Sequence, residues 1–514
     1  MSSNSLVLYV DNNSTYIKGR MDSAVYDKFK KKLGYLPENS FWMLKNNASK
    51  AKANEKWKKD WDGYISAVCW NKNFCHCHIK KSGLHFHTGL LSKAVSFFRD
   101  NNIPFRRVDI RNKTDKINRY TMSEEFEFRE YQQDIINKII GNSEVRGIDR
   151  GIIKCATGSG KSSIACAIIA GIGVSPTIFY VPSIDLLKQA KDEIEKFIRE
   201  DGKRIEVGIV GGGQKDIKDI TVMTIQTAVK ALGGVWKKFD DEDNNKDDTD
   251  ISDIKENIRE LIKNSRLMFG DEVHHWSSET CQIISDASIS CQYKFGMSGT
   301  PYRDMGDDIL IEGCFGRTIV DINASFLIKQ NYLVKPTIYF NKINNMRGLR
   351  KSSYANIYKQ AIVENEFRNN QVVEMTERFK ISGRKILILI KQINHGKILE
   401  KLIDGSVFLY GGTAKKKRQK YLDKMRKGES QITIASVIFD EGIDVKPLDT
   451  LILAGGGKSV TRALQRIGRT LRPYPGKKDA IVVDFMDNCK YLQSHSKKRL
   501  KIYKTEEEFE IIGD

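Results

Sequence analysis

Apolar positions along this chain fall into short continuous runs separated by longer stretches with helical spacing. TIFYVP (177–182), VGIVGG (207–212), ITVMTI (220–225) and RLMFGD (266–271) form one series between about Arg119 and Val320. KILILI (385–390), VFLYGG (407–412), QITIAS (431–436), TLILAG (450–455) and AIVVDF (480–485) form a second, which begins near Lys335. Runs this short and this apolar, alternating with helical patterns, predict parallel strands covered on both faces. Two α/β domains in tandem are therefore expected, over 121–325 and 326–514. Residues 1–120 read differently: a strand meander and then GLLSKAVSFFRD (89–100), an amphipathic helix. That segment predicts a small α+β domain.

Length and charge narrow the picture. At 514 residues the chain is long enough for three domains, each with its own core. Its 85 Lys and Arg against 65 Asp and Glu give a formal charge of +20, which implies a polyanionic partner. A membrane surface is disfavoured, because neither a run of 18 apolar residues nor a signal-peptide pattern occurs. Nine scattered cysteines, several inside apolar patterns, fit reduced thiols and a cytoplasmic setting. The acidic stretch DDEDNNKDDTD (240–250) reads as a solvated insertion.

Two segments carry chemistry. CATGSGKS (155–162) stands between an apolar run, Gly151 to Ile153, and the helical pattern SIACAIIA, so its glycines lie where a strand hands over to a helix. Backbone N–H groups there point at anionic oxygens, contributed by Thr157, Gly158, Ser159 and Gly160. Lys161 adds a point charge, and the Ser162 hydroxyl can ligate Mg2+. DEVHH (271–275) ends the run Leu267 to Phe269 and delivers paired carboxylates to a strand tip: Asp271 for the metal, Glu272 to polarise a water. Together they predict a nucleoside-triphosphate hydrolysis site. Cys155 stands where the strict phosphate-loop pattern has glycine.

Downstream come SGTPYR (298–303), IASVIFDEGIDV (434–445) and QRIGRTLR (465–472). These segments, in this order and over about 126–487, resemble the motifs of superfamily-two helicases of the DExH kind. The resemblance implies two RecA-like domains with ATP at the carboxyl ends of their strands, and a stroke produced by closing and opening the cleft between them. It implies that Lys161 binds the β and γ phosphates, that Ser162 and Asp271 hold magnesium, and that Glu272 activates water. His274, Ser298 and Thr300 would couple nucleotide state to the nucleic-acid path. Gln465, Arg469 and Arg472 would reach the γ-phosphate, with Arg466, Arg469 and Arg472 spaced by three on one helical face. Gly442 and Asp444 would sense the sugar and the closure, and Arg129 with Gln132 would read adenine. The second histidine, His275, makes the box differ from both the DEAD and DEAH strings.

Nucleic-acid contacts implied by the family fall on Pro182, Ser183, Thr224, Gln226, Thr227, Lys391, Lys415, Lys416, Arg418 and Ser436. Small and basic groups of this kind suit backbone rather than base recognition. The lysine cluster reads equally as a solubilising helix surface. In the first 120 residues, Trp61 to Gly63 and the helix start at Gly89 resemble the amino-terminal domain of UvsW-type phage helicases, which act on forks, Holliday junctions and R-loops. Branched DNA is therefore the expected substrate, this domain a DNA-binding one, and the host cytoplasm the expected place. A DExH RNA helicase and the motor of a restriction or defence complex are the alternatives. A monomer is expected, working with single-stranded DNA-binding or recombination proteins. Cys75, Cys77, His85 and His87 could meet as a zinc site on two strands, but hairpin packing explains the same string and is preferred.

Overall fold

The computed structural model describes residues 5–35, 65–66, 68–71, 75–76, 79–80, 83–116, 119–142, 144–234, 250–276, 278–299, 308–343, 353–436, 445–457, 460–489 and 491–513. They divide into two compact units: residues 1–154 with 160–321, and residues 322–514 with 155–159.

The first unit opens with a five-stranded sheet. Its elements are β1 (Leu6–Val10), β2 (Ser14–Lys18), α1 (Ser23–Lys32), β3 (Val68–Asn71), β4 (Gly83–His87), α2 (Leu91–Asp100) and β5 (Phe105–Asp109), in the sheet order β3-β4-β2-β1-β5. Leu6, Leu8, Ile17 and Phe86 pack one face of it onto Phe29 of α1 and Phe97 and Phe98 of α2. The expected α+β class of this segment is what the chain forms.

Beyond it lie α3 (Glu130–Ile140), β6 (Arg150–Cys155), α4 (Lys161–Ile172), β7 (Thr177–Val181), α5 (Ile184–Phe197), β8 (Gly208–Gly211), β9 (Gln214–Asp216), β10 (Ile220–Thr224), α6 (Ile225–Ala231), β11 (Leu267–Gly270), α7 (Ser278–Ala287), β12 (Tyr293–Ser298), α8 (Asp308–Phe315) and β13 (Thr318–Ile322). The strands form one sheet in the order β9-β8-β10-β7-β11-β12-β6-β13. Every residue of β7, β10 and β11 is buried, as strands covered on both faces must be. Because β11, β12 and β6 are parallel neighbours, their carboxyl ends lie side by side, and ligands of open α/β sheets bind at such ends.

The amino-terminal module is seated at the opposite end of these strands. The β1–β2 turn reaches the starts of β6 and β12: Arg150 donates to the Asn12 carbonyl at 2.7 Å, and Lys294 Nζ donates to Asn13 Oδ1 at 2.6 Å. Asn12 Nδ2 donates to the Ile289 carbonyl at 3.2 Å. Ile309 and Leu310 of α8 complete the module's own core, and Lys93 pairs with Glu312. A Cβ at Gly89 would sit 2.1 Å from the Glu312 carbonyl oxygen, so only glycine allows this approach.

The second unit holds β14 (Pro336–Ile343), α9 (Glu366–Ile381), β15 (Ile386–Leu389), α10 (Ile393–Leu402), β16 (Val407–Leu409), α11 (Lys415–Arg426), β17 (Ile432–Ala435), β18 (Thr450–Ile452), α12 (Val460–Thr470), β19 (Ala480–Asp487), α13 (Leu492–Tyr503) and β20 (Glu510–Ile512). Its sheet order is β16-β17-β15-β18-β19-β14-β20, and the paired strands are parallel. The two α/β sheets are the RecA-like pair that the alternation of strand and helix patterns predicts. Buried charges in the second unit are matched: Arg368, fully buried, donates to Asp487 Oδ1 at 2.8 Å and to the Ala454 carbonyl at 2.6 Å.

Candidate functional site

The loop after β6 delivers a helix start. Gly160 is the residue before α4, in the left-handed region at φ +79°. A Cβ there would meet Gln132 Nε2 at 2.3 Å. Lys161 and Ser162 therefore open α4 where the helix dipole and free N–H groups favour an anion. Thr157, Gly158 and Ser159 precede them; Ser159 is fully buried, and so is Cys155 at the end of β6. Cys155 ends the strand without a positive φ, so this position does not call for glycine. Gln132 is buried and accepts from the Arg129 backbone N–H at 3.0 Å. Both residues of the expected adenine-reading pair thus lie at the start of α3, with Gln132 beside the loop glycine.

Asp271 and Glu272 follow β11. Glu272 takes φ +43°, ψ 56°, a strained backbone for a non-glycine residue and one that clusters at functional sites. Its N–H donates to Asp271 Oδ1 at 3.0 Å. Burial, then the neighbouring Glu272 charge, pushes the Asp271 carboxyl up to about 7. Burial also works on Glu272, but the Lys161 charge and the His274 hydrogen bond outweigh it, and its carboxyl is held well below the usual range. Lys161 lowers both carboxyls, so the difference between them comes from the His274 hydrogen bond and histidine charges acting on Glu272 and from the Glu272 charge acting on Asp271.

Ser298, the last residue of β12, closes the site. Its hydroxyl donates to Glu272 Oε2 at 3.1 Å and lies 2.9 Å from His274 Nδ1. His274 Nδ1 is itself 3.3 Å from Glu272 Oε2. With the hydroxyl proton spent on Glu272, His274 Nδ1 must carry a proton and donate it to Ser298. Glu272, His274 and Ser298, from the ends of two adjacent strands, thus form a closed triangle of side chains. Ser162 and Asp271 share a small cavity with Cys166, Gln189 and Glu193, and hard oxygen donors of this kind suit magnesium.

Other expected positions are placed as follows. Pro182 and Ser183 are buried at the end of β7, with Ser183 preceding α5. Thr224 caps α6, accepting from Thr227 N–H at 3.2 Å; Thr227 is buried and Gln226 half-buried on the same helix. In the second unit Lys391 is exposed after β15, with its ammonium 6.0 Å from the Tyr358 ring, and Ser436 is buried after β17. Lys415, Lys416 and Arg418 begin α11. Gln465 and Arg469 lie on α12, and Arg472 follows it. Thr300, Gly442, Asp444, Cys77 and Trp61 to Gly63 lie outside the described residues. His85 lies beside Tyr16, with ring centroids 5.7 Å apart, and His87 Nδ1 is 4.0 Å from Asp286.

Two positions carried no motif in the sequence. Glu193 adds its charge to Asp271 through the shared cavity. Lys477 donates to the carbonyls of Leu448 (2.5 Å), Arg472 (2.9 Å) and Lys446 (3.3 Å), and so fixes the backbone of an expected arginine finger. Burial pushes its ammonium down to about 8. Lys477 follows Pro475 and Gly476 and precedes Lys478, a turn sequence that gives no periodic signal from which this could be read.

Comparison with known proteins gives the same picture. A family described as "Type III restriction enzyme, res subunit" matches residues 125–303, and "Helicase conserved C-terminal domain" matches residues 364–474. The chain is 26% identical over 409 residues to the DNA 3'-5' translocase XPB2 of Sulfurisphaera tokodaii, covering 71% of this chain and 82% of that protein. To the ATP-dependent DNA helicase uvsW of Enterobacteria phage T4 it is 24% identical, over 73% and 71% of the two chains. Among solved structures, the ATP-dependent Type ISP restriction-modification enzyme LlaBIII bound to DNA shares the fold, with TM-score 0.50 and 12% identity over 82% of this chain and 36% of that one. Among the described residues no helix is long and apolar enough to cross a membrane. Matched motor segments, related helicases and a phosphate loop beside a paired-carboxylate strand tip lead to one conclusion: the chain belongs to the superfamily-two helicases, is related to the UvsW-type phage enzymes, and is an ATP-dependent DNA helicase.

Proposed function

We propose that this helicase remodels branched DNA, regressing forks, moving four-way junctions and displacing R-loops, by closing its two RecA-like units on ATP and opening them after hydrolysis. The observation that carries the reading is the Glu272–His274–Ser298 triangle. A plain ATPase needs only a carboxylate and a water. Here the carboxylate is hydrogen-bonded to the end of a strand whose start is hydrogen-bonded to the amino-terminal module, so a change at the nucleotide has a route through one strand and two hydrogen bonds to a second domain.

In this mechanism Lys161 and the backbone of residues 157–160 hold the β and γ phosphates. Ser162 and Asp271 are placed to hold magnesium, which neutralises charge on the transferring phosphoryl group when bound. Glu272 accepts the proton of the attacking water, and its low proton affinity beside Lys161 keeps it ready at neutral pH. Arg469 and Arg472 supply charge to the γ-phosphate from the second unit, and Gln465 a neutral hydrogen-bond donor. Arg129 and Gln132 select adenine. Pro182, Ser183, Thr224, Gln226, Thr227, Lys391, Lys415, Lys416, Arg418 and Ser436 grip the backbone of the tracked strand, and the amino-terminal module adds contacts to the branch.

ATPase and strand-separation assays across single-stranded, forked and four-way DNA, with an RNA control, test the reading. Stimulation and unwinding strongest on forked or four-way DNA is expected. Stronger stimulation by RNA would overturn it, and translocation without strand separation would favour a restriction-type motor.

A further inference from the structure

We propose that the outward face of α11 is a second polyanion-binding surface, which holds the phosphate backbone of a duplex DNA arm; this rests on the helicase reading above.

Leu422 and Met425 bury the inner face of the helix. On the opposite side stand Lys417, Lys420, Lys424 and Lys427, spaced by three, four and three residues, so they share one face. Lys417, Lys420 and Lys427 are exposed and Lys424 is half-buried, its ammonium 5.6 Å from the Tyr421 ring. The row runs over about 15 Å at the helical rise, enough to meet two or three successive phosphates of a backbone. Lys416, Lys420, Lys424 and Lys427 also line an open depression with Asp423 and Glu429. Of those acids, Asp423 is already engaged by Arg426 at 3.1 Å and Gln419 at 3.0 Å.

The amino-terminal part of this row works against the fold. The first turn of α11 carries no acidic residue, so Lys417 opposes the positive end of the helix dipole, while Lys424 and Lys427 stand at the favourable carboxyl end. Like charges three and four apart oppose one another as well. A helix that accepts both penalties is explained by an anion outside it. That anion is a duplex backbone rather than a single strand, because lysine is a point charge suited to phosphate, whereas single-strand sites add aromatic platforms on which bases stack. No exposed aromatic side chain occurs on this helix; Tyr421 is half-buried beside Lys424.

The test uses the full chain with K417Q/K420Q/K424Q/K427Q, which leaves the assigned strand contacts Lys415, Lys416 and Arg418 intact. Affinity for a forked DNA and for a single-stranded oligonucleotide is measured between about 50 and 200 mM salt. For the fork, the slope of log affinity against log salt is expected to fall by about 1.8–2.7, two to three phosphates at about 0.9 each. The single-strand slope and single-strand-stimulated ATPase stay unchanged, and arginine at all four positions restores the fork slope. The pair K420Q/K424Q, a milder change to the helix, is expected to give about half the loss. An unchanged fork slope in either variant with ATPase intact overturns the proposal, and so does an equal loss on single-stranded DNA. Failure of the wild-type ATPase to respond to any DNA would instead sink the helicase reading beneath it.

Discussion

Lys294 and Asn13, 281 positions apart in sequence, meet through a 2.6 Å hydrogen bond from the lysine ammonium to the asparagine side-chain oxygen. Lys294 is fully buried, and its other side-chain donation is to Ser285 at 3.2 Å. Burial lowers its proton affinity, so the ammonium depends on these oxygens to stay charged. The amino-terminal module thus supplies part of the solvation of a motor residue.

Replacing Asn13 by Ala should therefore cost about 1.5–3 kcal/mol, the range for a hydrogen bond to a charged group. Gly89→Ala should be worse, because its Cβ would meet the Glu312 and Gly313 carbonyl oxygens at 2.1 and 2.4 Å. Denaturant unfolding and limited proteolysis between the module and the motor check both; unchanged profiles would remove the module's role in packing.

Lys161→Ala should abolish turnover while DNA binding persists, since phosphate capture and strand grip use different loops. Glu272→Gln should bind ATP and hydrolyse it about 100-fold to 10,000-fold more slowly, the range for loss of a general base. Single-turnover hydrolysis separates the two, and normal cleavage by the glutamine variant would strip Glu272 of its role.

Ser298→Ala removes the hydroxyl that joins Glu272 to β12 but leaves His274 3.3 Å from the carboxylate. ATPase is expected to fall by less than about tenfold, well short of losing the base itself, while strands separated per ATP consumed fall more. Equal losses in both would mean that Ser298 serves hydrolysis alone.

His395 gives a pH prediction for the second unit. It is fully buried, hydrogen-bonded to Asn369 Oδ1 at 2.9 Å, and held down at about 3, first by burial and then by the Arg368 charge. The unfolded chain takes up this proton near 6.5, so the stability contribution is complete above that pH and is lost as pH falls toward 3. Between about pH 7.5 and 5.5 the wild type should lose about 1.4 kcal/mol more than His395→Gln. Unfolding curves at the two pH values decide it, and identical pH sensitivity in the variant would locate the effect elsewhere.

The α/β character of both motor domains was legible because β7, β10, β11 and β15 are buried on both faces, which forces continuous apolar runs. The phosphate loop and the acidic box were legible because each lies within a few consecutive residues, at a strand end. Lys477 was not, since its three carbonyl partners lie at 446, 448 and 472 and share no local pattern. Glu193 was not either: on α5 it reads as a surface carboxylate, and only the packing of α5 against α4 and β7 brings it to the cavity it shares with Asp271.

By itself, then, the sequence determined what is local: strand and helix periods, the glycine that lets Lys161 start a helix, and the carboxylate pair at a strand tip. The tertiary structure decided what depends on strand order. Placing β12 between β11 and β6 sets Ser298 against Glu272 and His274 at one end of the sheet and Lys294 against Asn13 at the other. Strand order is set by the packing of whole layers, which no window of neighbouring residues encodes.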